Sequence, residues 1–124
     1  MKRTILLLIA FIVLCVQTIF SQNSRHIYTT TPAYAEIVST YEGFAKRSAY
    51  CTLLTYGTTD AGQPLHLFII SNGKEFDPAT LRKQNKRILL INNGIHPGEP
   101  DGIDASIELA NALLKDESKI PADV

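Results

Sequence analysis

The chain has 124 residues, and its 12 Lys and Arg balance 12 Asp and Glu to a formal net charge of zero. That balance gives no argument for nucleic acid or an anionic membrane surface as partner. The hydrophobic content is that of an ordinary globular protein, although part of it belongs to the first segment.

Met1–Ser21 reads MKRTILLLIAFIVLCVQTIFS. Lys2 and Arg3 precede a nearly pure apolar run from Ile5 to Val16, and Gln17, Thr18, Ser21 and Gln22 close it. This is the pattern of a secretory signal peptide over residues 1–21, with cleavage near Ser21 or Gln22, and it predicts a secreted or periplasmic protein. An N-terminal anchor helix is the alternative. A span wants about 20 apolar residues, so no stable membrane span is expected after cleavage. Cys15 is a poor lipidation site, because Leu14 stands where a small residue is needed before it.

Cleavage leaves roughly 100 residues, enough for one small domain that buries about two-thirds of its unfolded surface. Cys15 departs with the leader, so Cys51 is left alone and no internal disulfide can form. With Leu53 and Leu54 beside it, Cys51 reads as a buried structural thiol.

Residues 22–31 are polar and without period, a linker or frayed terminus. His26 lies in it alone and takes no role. Thr31-Pro32 has the form of a cap followed by proline at the first helical position. Tyr34, Ile37, Val38, Tyr41, Phe44 and Ala45 then recur at spacings of three and four, which predicts an amphipathic helix over Pro32–Arg47. Tyr50–Tyr56 and Leu65–Ser71 are rich in strand formers, and the turn-dense stretch between them predicts an antiparallel hairpin. His66 alternates with Leu65 and Leu67, so it faces away from them as a half-exposed strand histidine. Asp77-Pro78 repeats the cap-plus-proline signature and predicts a short helix over Pro78–Gln84.

Arg87–Asp104 reads RILLINNGIHPGEPDGID. The apolar run Ile88–Ile91, stopped by Asn-Asn-Gly, predicts a strand buried on both faces. Gly94 allows a sharp bend after it, and Pro97, Gly98 and Pro100 keep that bend from becoming a regular helix. Ile103, Ile107, Ala110 and Leu114 then mark a helix over Asp104–Lys115, capped by Asp101 or Asp104. Asp116–Val124 is polar and shows no closing element. Residues 32–124 therefore describe an α/β domain: a mixed sheet containing an antiparallel hairpin and a buried parallel strand, covered by helices.

His96 and Glu99 stand on the bend that follows the strand, where open α/β sheets place their ligand sites. An imidazole and a carboxylate three residues apart can hold one zinc ion, whose catalytic sites want three protein ligands and a water. The spacing alone equally describes a solvated His and Glu in a surface turn.

The segment Gly94-Ile95-His96-Pro97-Gly98-Glu99 after an apolar strand resembles the zinc carboxypeptidases of the carboxypeptidase A/B type. The similarity extends backward through the leading helix, through the loop YGTTDAGQP at Tyr56–Pro64 and through Ile70-Ser71. Thr31–Lys115 matches the N-terminal part of such a catalytic domain in order. The resemblance implies that His96 and Glu99 are ligands of Zn2+, and that the substrate is a peptide with a free C-terminus. It also implies that a third ligand (a histidine), the residues that hold the substrate carboxylate, a tyrosine over the site and the general-base glutamate come later in the chain than Val124. By this resemblance the 124 residues would be a leader and the first third of an enzyme, or a truncated relative inactive on its own. Gly98 departs from the digestive branch, which has arginine there. Two other functions share these features: a zinc deacylase of N-acyl amino acids with the same loop, and a non-catalytic secreted domain of the same fold.

Overall fold

The computed structural model describes residues 31–96 and 98–124. The segment read as a signal peptide, His26 and most of the expected linker lie outside them. The first element, α1 (Tyr34–Arg47), starts two residues later than the sequence predicts. Ala33 stays extended at φ −66°, ψ 149°, and serves as the cap. The Glu36 carboxylate reaches back and accepts the Ala33 N–H at 2.9 Å, doing the work expected of Thr31.

Strands β1 (Cys51–Thr58) and β2 (Pro64–Ile70) form the antiparallel hairpin, with Cys51 opposite Ile70 and Leu53 opposite Phe68. A bulge between Thr55 and Thr58 carries Gly57 at φ +108°. Such a conformation suits glycine, and the extra residue tightens the local twist. One face of the hairpin meets α1: Tyr41 and Phe68 lie 4.7 Å apart between ring centroids, and Phe44 packs on both rings. Cys51 is buried there as expected, and burial pushes its thiol pKa up. His66 lies on this face too, half-buried, with Nδ1 3.0 Å from Thr55 Oγ1 and its ring stacked near Tyr34. Tyr56, Leu65 and Leu67 lie exposed on the chain's other side.

The short helix α2 (Pro78–Lys83) begins as its sequence signature predicts. Asp77 accepts the Thr80 N–H and the Thr80 hydroxyl, both at 2.7 Å. The helix ends in a left-handed Asn85 at φ +58°, with Lys86 N–H donating to Leu81 O and Asn85 N–H to Arg82 O. These are the two bonds of a Schellman stop, with asparagine in the usual place of glycine.

Ile88–Ile91 departs from expectation. The run pairs with no strand among the described residues, and the sheet is the two-stranded hairpin alone. Leu89 and Leu90 are 71% and 73% exposed. The composition is that of an interior strand, but a strand exists only as one member of a ladder, and the described residues offer no neighbour to complete it. The α/β class and the hairpin stand; the buried parallel strand is not formed here.

The last helix, α3 (Pro100–Lys115), starts earlier than predicted, with Glu99 at the cap position and Pro100 opening the first turn. Neither Asp101 nor Asp104 is the cap. Ile107 and Ala110 join Phe44 and Cys51 in the core, with Ile103, Leu114, Phe68 and Ile70 packed around them. The tail does close on the domain, contrary to the sequence reading. A 3-10 turn at Glu117–Lys119 leads into Ile120, which is buried, and Asn72 Nδ2 donates to its carbonyl at 3.1 Å. Arg87 N–H donates to Asp123 O at 2.8 Å, and the Arg87 guanidinium lies 3.3 Å from the Asp123 carboxylate.

Hydrogen bonds from the Thr80 hydroxyl and then the Thr80 N–H hold the Asp77 carboxyl below the usual carboxylate range. A depressed folded-state pKa stabilises above the unfolded value of about 3.9 and is lost as pH falls through the folded value. Asp77→Ala is therefore expected to lower the melting temperature at neutral pH. The gap to the unsubstituted protein should narrow as the pH is taken below about 4. Thermal melts followed by circular dichroism across pH check this, and a gap independent of pH would contradict it.

Candidate metal centre

The two chemical groups of the loop come from different structural neighbourhoods. His96 belongs to the segment that leaves the apolar run, whereas Glu99 is the residue from which α3 starts. Between them Gly98 turns the chain at φ +79°, and a Cβ built there would meet nothing within 4 Å. The space is open, but the backbone conformation is costly for any residue with a side chain, at roughly 1–2 kcal/mol. That is a local reason for glycine where the digestive carboxypeptidases carry arginine.

Glu99 does not use its carboxylate to cap its own helix. The side chain turns instead to His96, and Nδ1 lies 3.2 Å from Glu99 Oε2. Both side chains are more than half exposed, 67% and 57%. Zinc bonds to imidazole nitrogen and carboxylate oxygen run about 2.0–2.2 Å, so two ligand atoms of a tetrahedral site lie about 3.4 Å apart. The observed separation matches that edge, and the donor pair is a normal one for zinc. The residues present thus fit a zinc ion as two of its ligands. Among the described residues no group of three or more His, Cys, Asp or Glu could hold a metal. His66 is not drawn to the site: it lies on β2, engaged with Thr55 of β1.

The loop is pressed onto α3 at two successive residues. Gly94 has φ +66°, and a Cβ there would lie 2.8 Å from Ile103 Cδ1. The Asn93 side chain lies against Gly102, where an added Cβ would fall 3.0 Å from Asn93 Oδ1, and Asn93 Nδ2 donates to Ser106 Oγ. Gly94 reads from the sequence as a bend, whereas Asn93 carries no local signal of its role. The usable signal was the pair Gly102 and Ser106, two small residues four apart and hence on one face of the helix. Asp104 Oδ1 in the next turn is buried and has no hydrogen-bond partner among the described residues. The concave surface beside Glu99 is a shallow, open one, lined by Gly94, Ile95, Gly98, Asp101 and the two asparagines Asn92 and Asn93.

The sequence pattern that accompanies this geometry is decisive. The family model described as zinc carboxypeptidase matches residues 37–122, more than half of the chain. The chain belongs to the zinc carboxypeptidase family. No curated protein and no solved structure gives a significant match. The match runs from within α1 to the tail beyond α3, so the hairpin, the loop and the closing turn all fall inside a hydrolytic, zinc-dependent peptidase family. Peptides are the substrates that this family membership implies. No helix among the described residues is long and apolar enough to cross a membrane.

Gly94→Ala is expected to destabilise this carboxypeptidase-family chain by about 2 kcal/mol, because a left-handed backbone and a crowded Cβ coincide at that position. Chemical denaturation measures it. Stability unchanged to within about 0.5 kcal/mol would mean that the loop does not bear on Ile103.

Proposed function

We propose that this chain carries the first two metal ligands of a secreted zinc metallocarboxypeptidase, which removes C-terminal residues from peptides. The observation that carries the reading is the 3.2 Å approach of His96 Nδ1 to Glu99 Oε2 on a glycine-turned loop, inside the region matched by the family.

When bound, zinc supplies a polarised scissile carbonyl and a water of lowered pKa. His96 would offer a neutral imidazole nitrogen through Nδ1, and Glu99 an anionic oxygen that offsets part of the metal's charge. Because Glu99 leaves its helix uncapped, its carboxylate is not committed elsewhere. Among the described residues no third ligand joins the pair, and a carboxypeptidase needs in addition a general base and a clamp for the substrate's carboxylate. By family resemblance such groups stand on later elements of the catalytic domain than the loop of His96 and Glu99. The leader at Met1–Ser21 supports export, and with it a secreted or periplasmic location.

In the full-length protein, His96→Ala and Glu99→Ala should each abolish stoichiometric zinc and hydrolysis, while His66→Ala keeps both. Elemental analysis gives the zinc, and release of the C-terminal residue from a blocked dipeptide gives the activity. A His96→Ala protein that retains full zinc and full activity would overturn the assignment. Cleavage of an N-acyl amino acid with no action on the dipeptide would point to the deacylase instead. Intact zinc-free protein without either activity would point to a binding domain. Separately, mass spectrometry of protein expressed in a bacterial host should find an N-terminus near Gln22 or Asn23. Membrane-bound protein that still begins at Met1 would favour the anchor.

A further inference from the structure

We infer that Asn93 is a positioning residue for the metal pair: its side chain, held by Ser106 and seated on Gly102, fixes where His96 stands relative to Glu99. The inference rests on the zinc reading of these two residues and goes beyond it to what sets their spacing.

His96 follows from the segment at Asn92–Ile95, and Glu99 from α3, so their separation depends on how that segment is tied to that helix. The contact between the two ligand side chains cannot do this. It is solvent-exposed on both sides, and exposed pairs hold their geometry weakly. Gly98 cannot do it either, since a side chain begun there would meet nothing within 4 Å to brace it, and glycine resists little. The Gly94–Ile103 contact presses the two parts together, but an apolar contact has no preferred direction. The directional link is the bond from Asn93 Nδ2 to Ser106 Oγ, which is exposed as well and so depends on the packing beside it. It works together with a fit so close that Asn93 Oδ1, Cγ and Cβ all lie 3.0–3.2 Å from the place of a Cβ on Gly102. Gly102 and Ser106 are one turn apart on α3, and their small size lets the carboxamide lie along the helix. The clamp sits three residues before His96 and grips α3 three and seven residues after Glu99, so it closes a short ring that contains both ligands.

The test uses the full-length protein and reads zinc affinity by competition with a chromophoric chelator, with the cobalt(II) absorption spectrum as a reporter of ligand geometry. Asn93→Ala and Ser106→Ala should each weaken zinc binding about tenfold, as loss of a group that orients a metal ligand does. The double variant should be no weaker than either single one, because both remove the same link. Gly102→Ala supplies a variant that does not depend on deleting a bond, since alanine favours a helix over glycine. It should weaken zinc and alter the cobalt spectrum when Asn93 is present, and have no further effect in the Asn93→Ala protein. Zinc affinity within twofold of the unsubstituted protein in Asn93→Ala, or full additivity of the two single variants, overturns the clamp. If His96→Ala also keeps its zinc, the metal reading falls as well; if His96→Ala loses zinc while Asn93→Ala keeps it, the clamp alone is wrong.

Discussion

A side chain at position 94 would begin 2.8 Å from Ile103 Cδ1, and this near-contact links the chemistry of the loop to the body of the fold. Ile103 is not a free surface residue: it packs against the cluster of Phe44, Cys51, Ile107 and Ala110. The loop is thereby pressed, through one isoleucine, onto the same core that joins α1 to the hairpin. Interiors packed to native density transmit displacement rather than absorb it. Enlarging Ile107 or Phe44 would therefore move the helix on which Glu99 begins, and with it the distance to His96.

The apolar surface is distributed unevenly around that core. One face of the hairpin is covered by α1, while Tyr56, Leu65 and Leu67 remain open, and so does the whole run Ile88–Ile91. At about 25 cal/mol per Å² of apolar area, leaving four large aliphatic side chains in water forgoes several kcal/mol that burial would supply. That sum is comparable with the entire stability of a small domain. A strand composed only of Ile and Leu is a sheet interior in search of neighbours, and the fold described here supplies none.

Local signals were legible and non-local ones were not. Asp77-Pro78 predicted a capped helix, and both the cap bond and the helix are present, because every participant lies within three residues. The hairpin was readable from its alternation and turn residues for the same reason. The start of α1 was misplaced because either Thr31 or Glu36 can close a first turn, and only Glu36 does so. The strand at Ile88–Ile91 failed for a different reason: its residues were read correctly, but a ladder requires a partner that periodicity cannot supply. The closure of the tail rests on Asn72 and Ile120, which lie 48 positions apart. No local pattern marks that bond. At the loop proposed to hold the metal, His96 and Glu99 are visible in the sequence as a spaced pair, whereas Asn93 is not, since its meaning lies in the two small residues of α3 that it touches.

The geometry of that pair has a further implication for where its order comes from. An exposed histidine–carboxylate contact contributes at most about 1 kcal/mol, and less at physiological ionic strength. It cannot impose order on a loop that would otherwise wander. The donors nevertheless stand at nearly the separation that a tetrahedral zinc ion demands. Their placement must therefore be inherited from what surrounds them: from Gly94 bent against the core, from Pro100 starting the helix, and from the Asn93 side chain that ties the one to the other. A metal ion arriving there would meet two ligands already near their bound positions, and the entropy of ordering them would not be charged against its affinity. This separates the roles of the two halves of the sequence motif. On the proposed reading His96 and Glu99 would provide the chemistry, and Gly94, Asn93 and Pro100 would hold the distance at which it can act.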